Sequence, residues 1–297
     1  MHPVRQVFRQ IRRVSVLVSQ VPVVGVVVRA IRRTMAREVM LFAGGVSFFT
    51  LLALFPAVAA AASIYGLVFS IGDAQDQISR LAGVLPPSAR SFAINQVAGL
   101  AEASSTTLSI QGLVALLISF FAASRGAKAL IAGLNQIAKV GDLRSIVKFN
   151  LLAIAAVMAG GTLLAFANLI VLTIPVFLRP ILQWLGLRGL DTGYLFNEWT
   201  AVAVTMIAAL ILLYRYTMRR AGEVSWNASI LAALTATLIW MVISAGFSFY
   251  VQGIVHPNAY GSLGALIVFL LWIYWASYAV FFGGALAIEI DLKREHG

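Results

Sequence analysis

The strongest constraint on the fold is an uncharged stretch near the end of the chain, from Ser262 to Ile288. Its 27 residues would make a helix about 40 Å long at about 1.5 Å per residue. The hydrocarbon core of a bilayer is about 30 Å thick, so such a helix crosses it with some tilt. Charge returns directly afterwards, at Glu289, Asp291, Lys293 and Arg294. The stretch therefore predicts a membrane-spanning helix with a polar exit.

The composition favours a membrane environment for the whole chain. Hydrophobic residues make up 61% of it and charged residues only 11%, whereas soluble domains usually carry about 25% charged residues. Within a bilayer every backbone polar group must be satisfied internally, as in a helix or a closed barrel. Long unbroken apolar runs favour helices over short alternating strands. We therefore predict an all-α, polytopic membrane protein.

Six apolar stretches are long enough to cross a bilayer, and they lie at about residues 39–69, 108–130, 146–177, 199–217, 228–251 and 262–288. Together they define one transmembrane domain over residues 39–291, followed by a cytoplasmic tail at 292–297. The first stretch contains Pro56, which predicts a kink or a discontinuity in its helix. A packed kink is the favoured interpretation. A broken helix that exposes backbone to a substrate is the alternative.

The first 38 residues form a basic segment ahead of the first span. Its arginines flank Val14–Val28, a mostly apolar run interrupted by Pro22. A signal peptide has the same basic start, but no cleavage site of small residues follows. The run is also short for a span. We predict an amphipathic helix in the plane of an anionic leaflet, with insertion into the bilayer as the alternative.

Basic residues are distributed unevenly over the loops that these spans imply. Only four of the 22 lie on the side opposite the termini, at Arg80, Arg90, Arg179 and Arg188. Cytoplasmic loops carry an excess of Lys and Arg, so both termini are predicted to be cytoplasmic. This topology accounts for the net charge of +11. No nucleic-acid partner is therefore predicted.

Side chains suited to catalysis or metal binding are scarce. The chain has no cysteine, and its three histidines lie near the termini or in a loop. It contains no common metal-binding, phosphate-binding or nucleophile motif. No His/Asp/Glu constellation is predicted on one side of the membrane. We expect no enzyme activity, no cofactor and no metal site.

Several short motifs occur along the chain in a characteristic order. The first span carries an aromatic pair and Leu-Phe-Pro within FAGGVSFFTLLALFPAVAAAASIYGL, residues 42–67. The motifs that follow are Ser124-Arg125-Gly126, Gly133-Leu134-Asn135, Leu213–Tyr216, and Tyr260–Ala265 ahead of Trp272. In this order, over about residues 35–291, the chain resembles the YihY/BrkB family of bacterial inner-membrane proteins, formerly labelled ribonuclease BN.

This resemblance implies a multi-pass protein of the bacterial inner membrane that transports or handles an envelope lipid or another amphipathic anion. The alternative is a structural or scaffolding membrane protein without transport, and a ribonuclease is not predicted. Two positions depart from the family pattern. Ala285 stands where the family commonly has an acid, and Met218 displaces a proline. No role that depends on that acid is expected of this chain.

Polar side chains within or near the spans form the candidate ligand site. Arg125 and Lys128 lie one helical turn apart, toward the predicted cytoplasmic end of the second span, while Asn135 follows and Arg215 ends the fourth. Charge inside a membrane is costly and usually faces a cavity or a partner, which predicts a site for an anionic head group. The alternatives are snorkelling to the interface and ion pairs with the acids after the last span. Asn135 also suits a hydrogen bond between helices.

Small residues in the last span are predicted to serve helix packing. Ala279, Gly283 and Ala287 recur every four residues, and Gly261 and Gly264 lie at the start of the span. Such residues let neighbouring helices approach closely. Membrane lipids, anionic ones in particular, are the predicted partners. A homo-oligomer is left open.

Overall fold

The computed structural model describes residues 22–68, 110–139, 145–184, 198–218, 223–253 and 261–295. Within those ranges the chain forms seven α-helices and no β-strand. They are α1 (Pro22–Thr34), α2 (Arg37–Val68), α3 (Ile110–Ala138), α4 (Ile146–Trp184), α5 (Glu198–Thr217), α6 (Trp226–Gly253) and α7 (Gly261–Glu295). The all-α prediction is confirmed.

Six of these helices, α2 to α7, are long and apolar enough to cross a membrane. They match the six predicted spans in order, which confirms the polytopic architecture. α7 continues to Glu295, so residues 292–295 of the predicted tail are helical. Residues 69–109, between α2 and α3, lie outside the described residues.

α3 extends eight residues beyond the predicted end of the second span, to Ala138. Arg and Lys are good helix formers, so Arg125 and Lys128 do not interrupt the helix. It ends where Lys139 adopts a left-handed φ of 55° and donates its backbone N–H to the Gln136 carbonyl at 3.0 Å. The two basic residues therefore lie inside the span, away from its end.

α2 runs as one helix from Arg37 to Val68 and passes through Pro56. The alternative of a broken helix at Pro56 therefore does not hold, and the favoured kink would lie within a continuous helix. Proline removes one backbone donor from a helix, but membrane helices tolerate it when neighbouring helices and local adjustments satisfy the freed groups. α2 packs along α3, and Gly126 of α3 lies close to Phe49. This contact packs α2 against α3 on the N-terminal side of Pro56.

The last helix, α7, is the centre of the bundle, because it packs against α1, α2, α3 and α6. Its residues 283–289 are all buried. One apolar core surrounds that segment and includes Leu134, Tyr214, Met218 and Phe281. A second core lies farther along the bundle and includes Trp240, Phe269 and Trp272. α4 is peripheral, since it packs chiefly against α3 and α5.

Gly283 lies where α7 comes closest to α5 and α6. A Cβ atom at this position would stand 2.8 Å from the Ala236 Cβ and 3.0 Å from the Ala232 carbonyl oxygen, and it would also meet the Tyr214 hydroxyl. Only a residue without a side chain fits here without displacing its neighbours. The other small residues predicted for packing are Ala279 and Ala287, which are buried, Gly264, which is partly buried, and Gly261, which begins the helix.

α1 overlaps the second half of the predicted N-terminal helix, Val14–Val28, and extends beyond it. It begins at Pro22 and ends at Thr34, and residues 14–21 lie outside the described residues. Proline is favoured at the first position of a helix, where its missing N–H costs nothing. Val26 and Ala30 of α1 belong to the main apolar core. The helix is therefore docked on the bundle, with α7 as its neighbour.

Candidate functional site

An ion cluster joins the first and last described helices. The Glu289 side chain on α7 is only 3% exposed, and it accepts hydrogen bonds from Arg29 Nε at 2.5 Å and Arg33 Nε at 2.6 Å. Arg33 also donates through Nη1 to the Ile137 carbonyl at 2.9 Å, which lies in the last turn of α3, where carbonyls lack partners within their helix. We refer to Arg29, Arg33 and Glu289 as the Glu289 cluster. It holds α1, α3 and α7 together.

The sequence predictions miss the Glu289 cluster, because they assign the N-terminal arginines to an anionic leaflet. Two signals point to it. Arg29 and Arg33 are four residues apart and so share one helix face, and Glu289 directly follows an uncharged span, where an unpaired acid is costly. The paired residues are 260 and 256 positions apart in the sequence. Local sequence patterns therefore do not predict the pairing.

Asp291, the second acid after the last span, holds the start of α6. It accepts the Ser225 backbone N–H at 3.0 Å and the Ser225 hydroxyl at 2.5 Å. The same hydroxyl accepts the Ala228 N–H at 3.4 Å, which is the position of an N-cap residue. With Glu289 bound by arginines of α1, the predicted alternative of ion pairs from the basic residues of α3 to these acids does not hold.

Arg215, predicted as part of the ligand site, is engaged within the protein. Its Nη2 forms a salt bridge with Glu223 at 2.7 Å, and its Nη1 donates to the Val224 carbonyl at 2.8 Å. The guanidinium also lies over the Trp226 ring, 4.3 Å from its centroid, in cation–π geometry. These contacts join the end of α5 to the start of α6. They give Arg215 a structural role.

Arg125 and Lys128 lie in the middle of α3, with Ser124 and Asn135 on the same side. A helix has about 3.6 residues per turn, so these four side chains leave it within a sector of about 100°. We refer to them as the α3 polar stripe. Thirteen residues separate Arg125 from the end of α3 at Ala138, which is about 20 Å along the axis. The stripe therefore runs from the end of the helix toward its middle.

The members of the α3 polar stripe differ in burial. Ser124 and Asn135 are buried, Lys128 is partly buried and Arg125 is exposed. The Arg125 guanidinium lies 5.0 Å from the centroid of the Phe121 ring, a cation–π contact. The Ser124 hydroxyl is buried and has no hydrogen-bond partner among the described residues, whereas Asn135 is engaged. An exposed positive charge and a buried, unsatisfied hydroxyl thus stand at successive positions near the middle of α3.

An apolar groove of about 400 Å³ opens between α6 and α7. It is lined by Ile243, Gly246, Phe247, Tyr250, Leu271 and Trp275. Small-molecule pockets range from about 300 to 1,000 Å³, so its size suits part of an amphipathic molecule. Its lining residues carry no charge and include neither Arg125 nor Lys128.

Metal chemistry finds no support in the described part of the chain. Those residues contain no group of three or more His, Cys, Asp or Glu side chains that could hold a metal ion. All three histidines lie outside the described ranges.

These features define a multi-pass helical membrane protein in which a buried ion cluster joins the first and last described helices. The sequence profile of the virulence factor BrkB family matches residues 30–297. The chain therefore belongs to the BrkB virulence factor family, which confirms the resemblance found in its motifs.

Similar proteins are known from several bacteria. The chain is 26% identical to a UPF0761 membrane protein of Rhodospirillum rubrum over 267 residues, which cover 88% of this chain and 57% of the relative. It is 28% identical to the ribonuclease-like protein YfkH of Bacillus subtilis over 185 residues, 61% of this chain and 66% of the relative. The chain thus spans less than two thirds of the length of either relative. No solved structure matches it.

Proposed function

We propose that this protein transports or handles an envelope lipid or a similar amphipathic anion in the bacterial inner membrane, with both termini in the cytoplasm. The observation that carries the proposal is the position of Arg125, an exposed guanidinium about 20 Å from the nearer end of an apolar helix. Ionisable side chains at such depth are rare and usually face a partner or a pathway. An anionic head group would supply the partner.

The chemistry around Arg125 suits a phosphate-bearing amphiphile. A guanidinium binds phosphate through two parallel hydrogen bonds, and Lys128 adds a second positive charge one turn away. Phe121 and Leu117, both exposed, continue the same side of α3 away from the stripe. They would contact the acyl chain of a lipid whose head group lies at Arg125.

Lipid retention by the purified protein tests the site. In native mass spectrometry with equal amounts of phosphatidylglycerol and phosphatidylethanolamine, we expect preferential retention of phosphatidylglycerol. Arg125→Gln should weaken that retention about 10- to 100-fold, since a hydrogen bond to a charged group contributes about 1.5–3 kcal/mol. Arg37→Gln is the matched control, because Arg37 is also exposed but stands at the start of α2.

A translocation assay tests the transport step separately. Vesicles that contain the protein and a fluorescent phosphatidylglycerol should exchange that lipid between leaflets faster than empty vesicles, and Arg125→Gln should slow the exchange. Equal rates with and without protein, together with equal lipid retention by Arg125→Gln and Arg37→Gln, would overturn the proposal.

A second candidate function is that of a non-transporting structural protein of the same membrane. The apolar groove between α6 and α7 favours it, because that groove does not include the basic side chains a transport path for anions would use. Retention of no particular lipid together with no translocation would select this candidate. A ribonuclease is not proposed: the described residues bring no acid–base pair to the α3 polar stripe.

A further inference from the structure

The outward face of α1 is apolar. Val26 and Ala30 point into the bundle and are buried. The opposite side carries Val24, Val28, Ile31 and Met35, the last directly after the helix. At about 100° per residue these four lie on one face, and Ile31 is 43% and Met35 69% exposed. A helix docked on a protein in water would present the reverse pattern.

The inward face of α1 carries the charge. Arg29 and Arg33 both turn toward α7, where their Nε atoms bind Glu289. Of the three arginines on α1, Arg32 is the one on the edge of the outward face, and it is exposed. The Glu289 cluster thus fixes the rotation of α1 about its own axis.

The outward face of α1 is followed along the chain by exposed apolar residues of a span. α2 begins at Arg37, two residues after Met35, and its first turns expose Met40 and Leu41. The exposed side chains of a membrane-spanning helix meet lipid. A basic side chain at the edge of such a surface extends to the head groups, while its stem stays among apolar groups.

We propose that α1 is an interfacial helix whose Val24–Met35 face contacts the acyl chains of one leaflet while Arg32 reaches anionic head groups. Glu289 is the positioning residue that turns this face outward. The occupant of the surface is the bilayer itself, since the face is followed along the chain by the exposed apolar residues of α2. A second copy of the chain would need the same face to be removed from lipid. This inference does not depend on the proposed transport activity.

Single nitroxide labels test where the face lies. The chain has no cysteine, so Ile31→Cys and Met35→Cys each give one labelled site. In vesicles of phosphatidylethanolamine and phosphatidylglycerol, both labels should be relaxed more strongly by oxygen, which partitions into lipid, than by a water-soluble nickel chelate. A label at Lys293→Cys, exposed on the last turn of α7, should show the reverse.

Three outcomes would overturn the lipid assignment. Nickel accessibility at positions 31 and 35 equal to that at position 293 would place the face in water. Low accessibility to both oxygen and the nickel chelate would show that protein covers the outward face of α1. Spectral broadening between labels on two chains would identify that protein as a second copy.

The positioning role of Glu289 has its own test. Glu289→Gln should increase the mobility of the label at position 35 and lower its oxygen accessibility, and Glu289→Asp should restore part of both. Arg29→Gln removes one bond from a side chain that is 51% exposed, so it makes the same test without altering the buried acid. Unchanged label spectra in both Glu289→Gln and Arg29→Gln would overturn the role. Arg125→Gln should leave these labels unaffected, which separates this inference from the proposed lipid site.

Discussion

Two arginines of this protein, Arg33 and Arg125, occupy opposite kinds of environment. Arg33 lies at one end of the bundle, where it binds the buried Glu289 carboxylate and the Ile137 carbonyl. Arg125 lies near the middle of α3, where its guanidinium contacts the Phe121 ring and forms no salt bridge with another described residue. The first is satisfied by the protein. The second has the partner that the proposed function assigns to it, an anionic head group.

In the proposed function, this difference separates a structural charge from a ligand-binding one. Removal of a satisfied buried charge leaves its partner uncompensated and destabilises the fold. Removal of an exposed charge costs the fold little but removes whatever the charge binds. Stability and lipid binding should therefore respond in opposite ways at the two arginines.

The largest expected loss of stability is at Glu289. Glu289→Gln leaves two guanidinium groups without their carboxylate, and breaking a buried pair costs about 3–5 kcal/mol. We expect the lower end of that range. Arg29 is half exposed, so solvent screens its electrostatic interaction with Glu289. Thermal unfolding in detergent measures it. Lys293→Gln, at an exposed position on the same helix, should change stability by less than about 0.5 kcal/mol, and an equal effect of both would contradict the assignment.

A smaller loss is expected where helices approach most closely. Gly283→Ala places a methyl group against Ala236, Ala232 and the Tyr214 hydroxyl, and overpacking of this kind costs about 1–3 kcal/mol. Gly160→Ala is the matched control, since a Cβ at Gly160 has nothing within 4 Å. That change should be neutral or stabilise by up to about 1 kcal/mol. Equal unfolding temperatures for the two variants would rule out close packing at Gly283.

Tyr214→Phe should cost about 1 kcal/mol, because the buried hydroxyl donates to the Val280 carbonyl at 2.8 Å and one hydrogen bond contributes about that much. Tyr250→Phe, at an exposed position in the apolar groove, provides the comparison. The unfolding free energies of the two variants in detergent give the difference. A larger loss for Tyr250→Phe would show that the Tyr214 bond is not part of the stabilising core.

The smallest expected change in stability is at Arg125. Arg125→Gln should shift the free energy of unfolding by less than about 0.5 kcal/mol, while Arg33→Gln should lower it by about 2–3 kcal/mol. Lipid retention should show the opposite order. If Arg125→Gln destabilises the protein as much as Arg33→Gln does, its side chain is structural and the proposed site is lost.

Most of the architecture can be predicted from the sequence, because a bilayer allows few solutions for long apolar runs. The uncharged stretch Ser262–Ile288 predicts α7, and five similar stretches predict the other spans. Helix ends within the spans are harder to predict. Basic residues such as Arg125 and Lys128 suggest a membrane boundary, yet they are compatible with helix, so α3 continues past them.

The candidate site is predicted only in part. The spacing of Arg125, Lys128 and Asn135 indicates that they share one side of α3. Arg215 does not join them, because it binds Glu223 and the Val224 carbonyl just before α6. Pro56 left a broken helix as an alternative to a kink, and α2 is continuous through it. The Glu289 cluster forms because α1 and α7, which are far apart in the sequence, pack against each other. Helix periodicity does not indicate which helices pack together.

The pairing of Glu289 with Arg33 also has a consequence for the order of assembly. Chain synthesis adds about 5–20 residues per second, so the 256 residues between these partners take roughly 13 to 50 seconds. Throughout that interval α1 lacks the carboxylate that fixes its rotation. A chain that stops before α7 would leave Arg29 and Arg33 without their carboxylate. Insertion of the last helix is therefore the step that locks the first one in place.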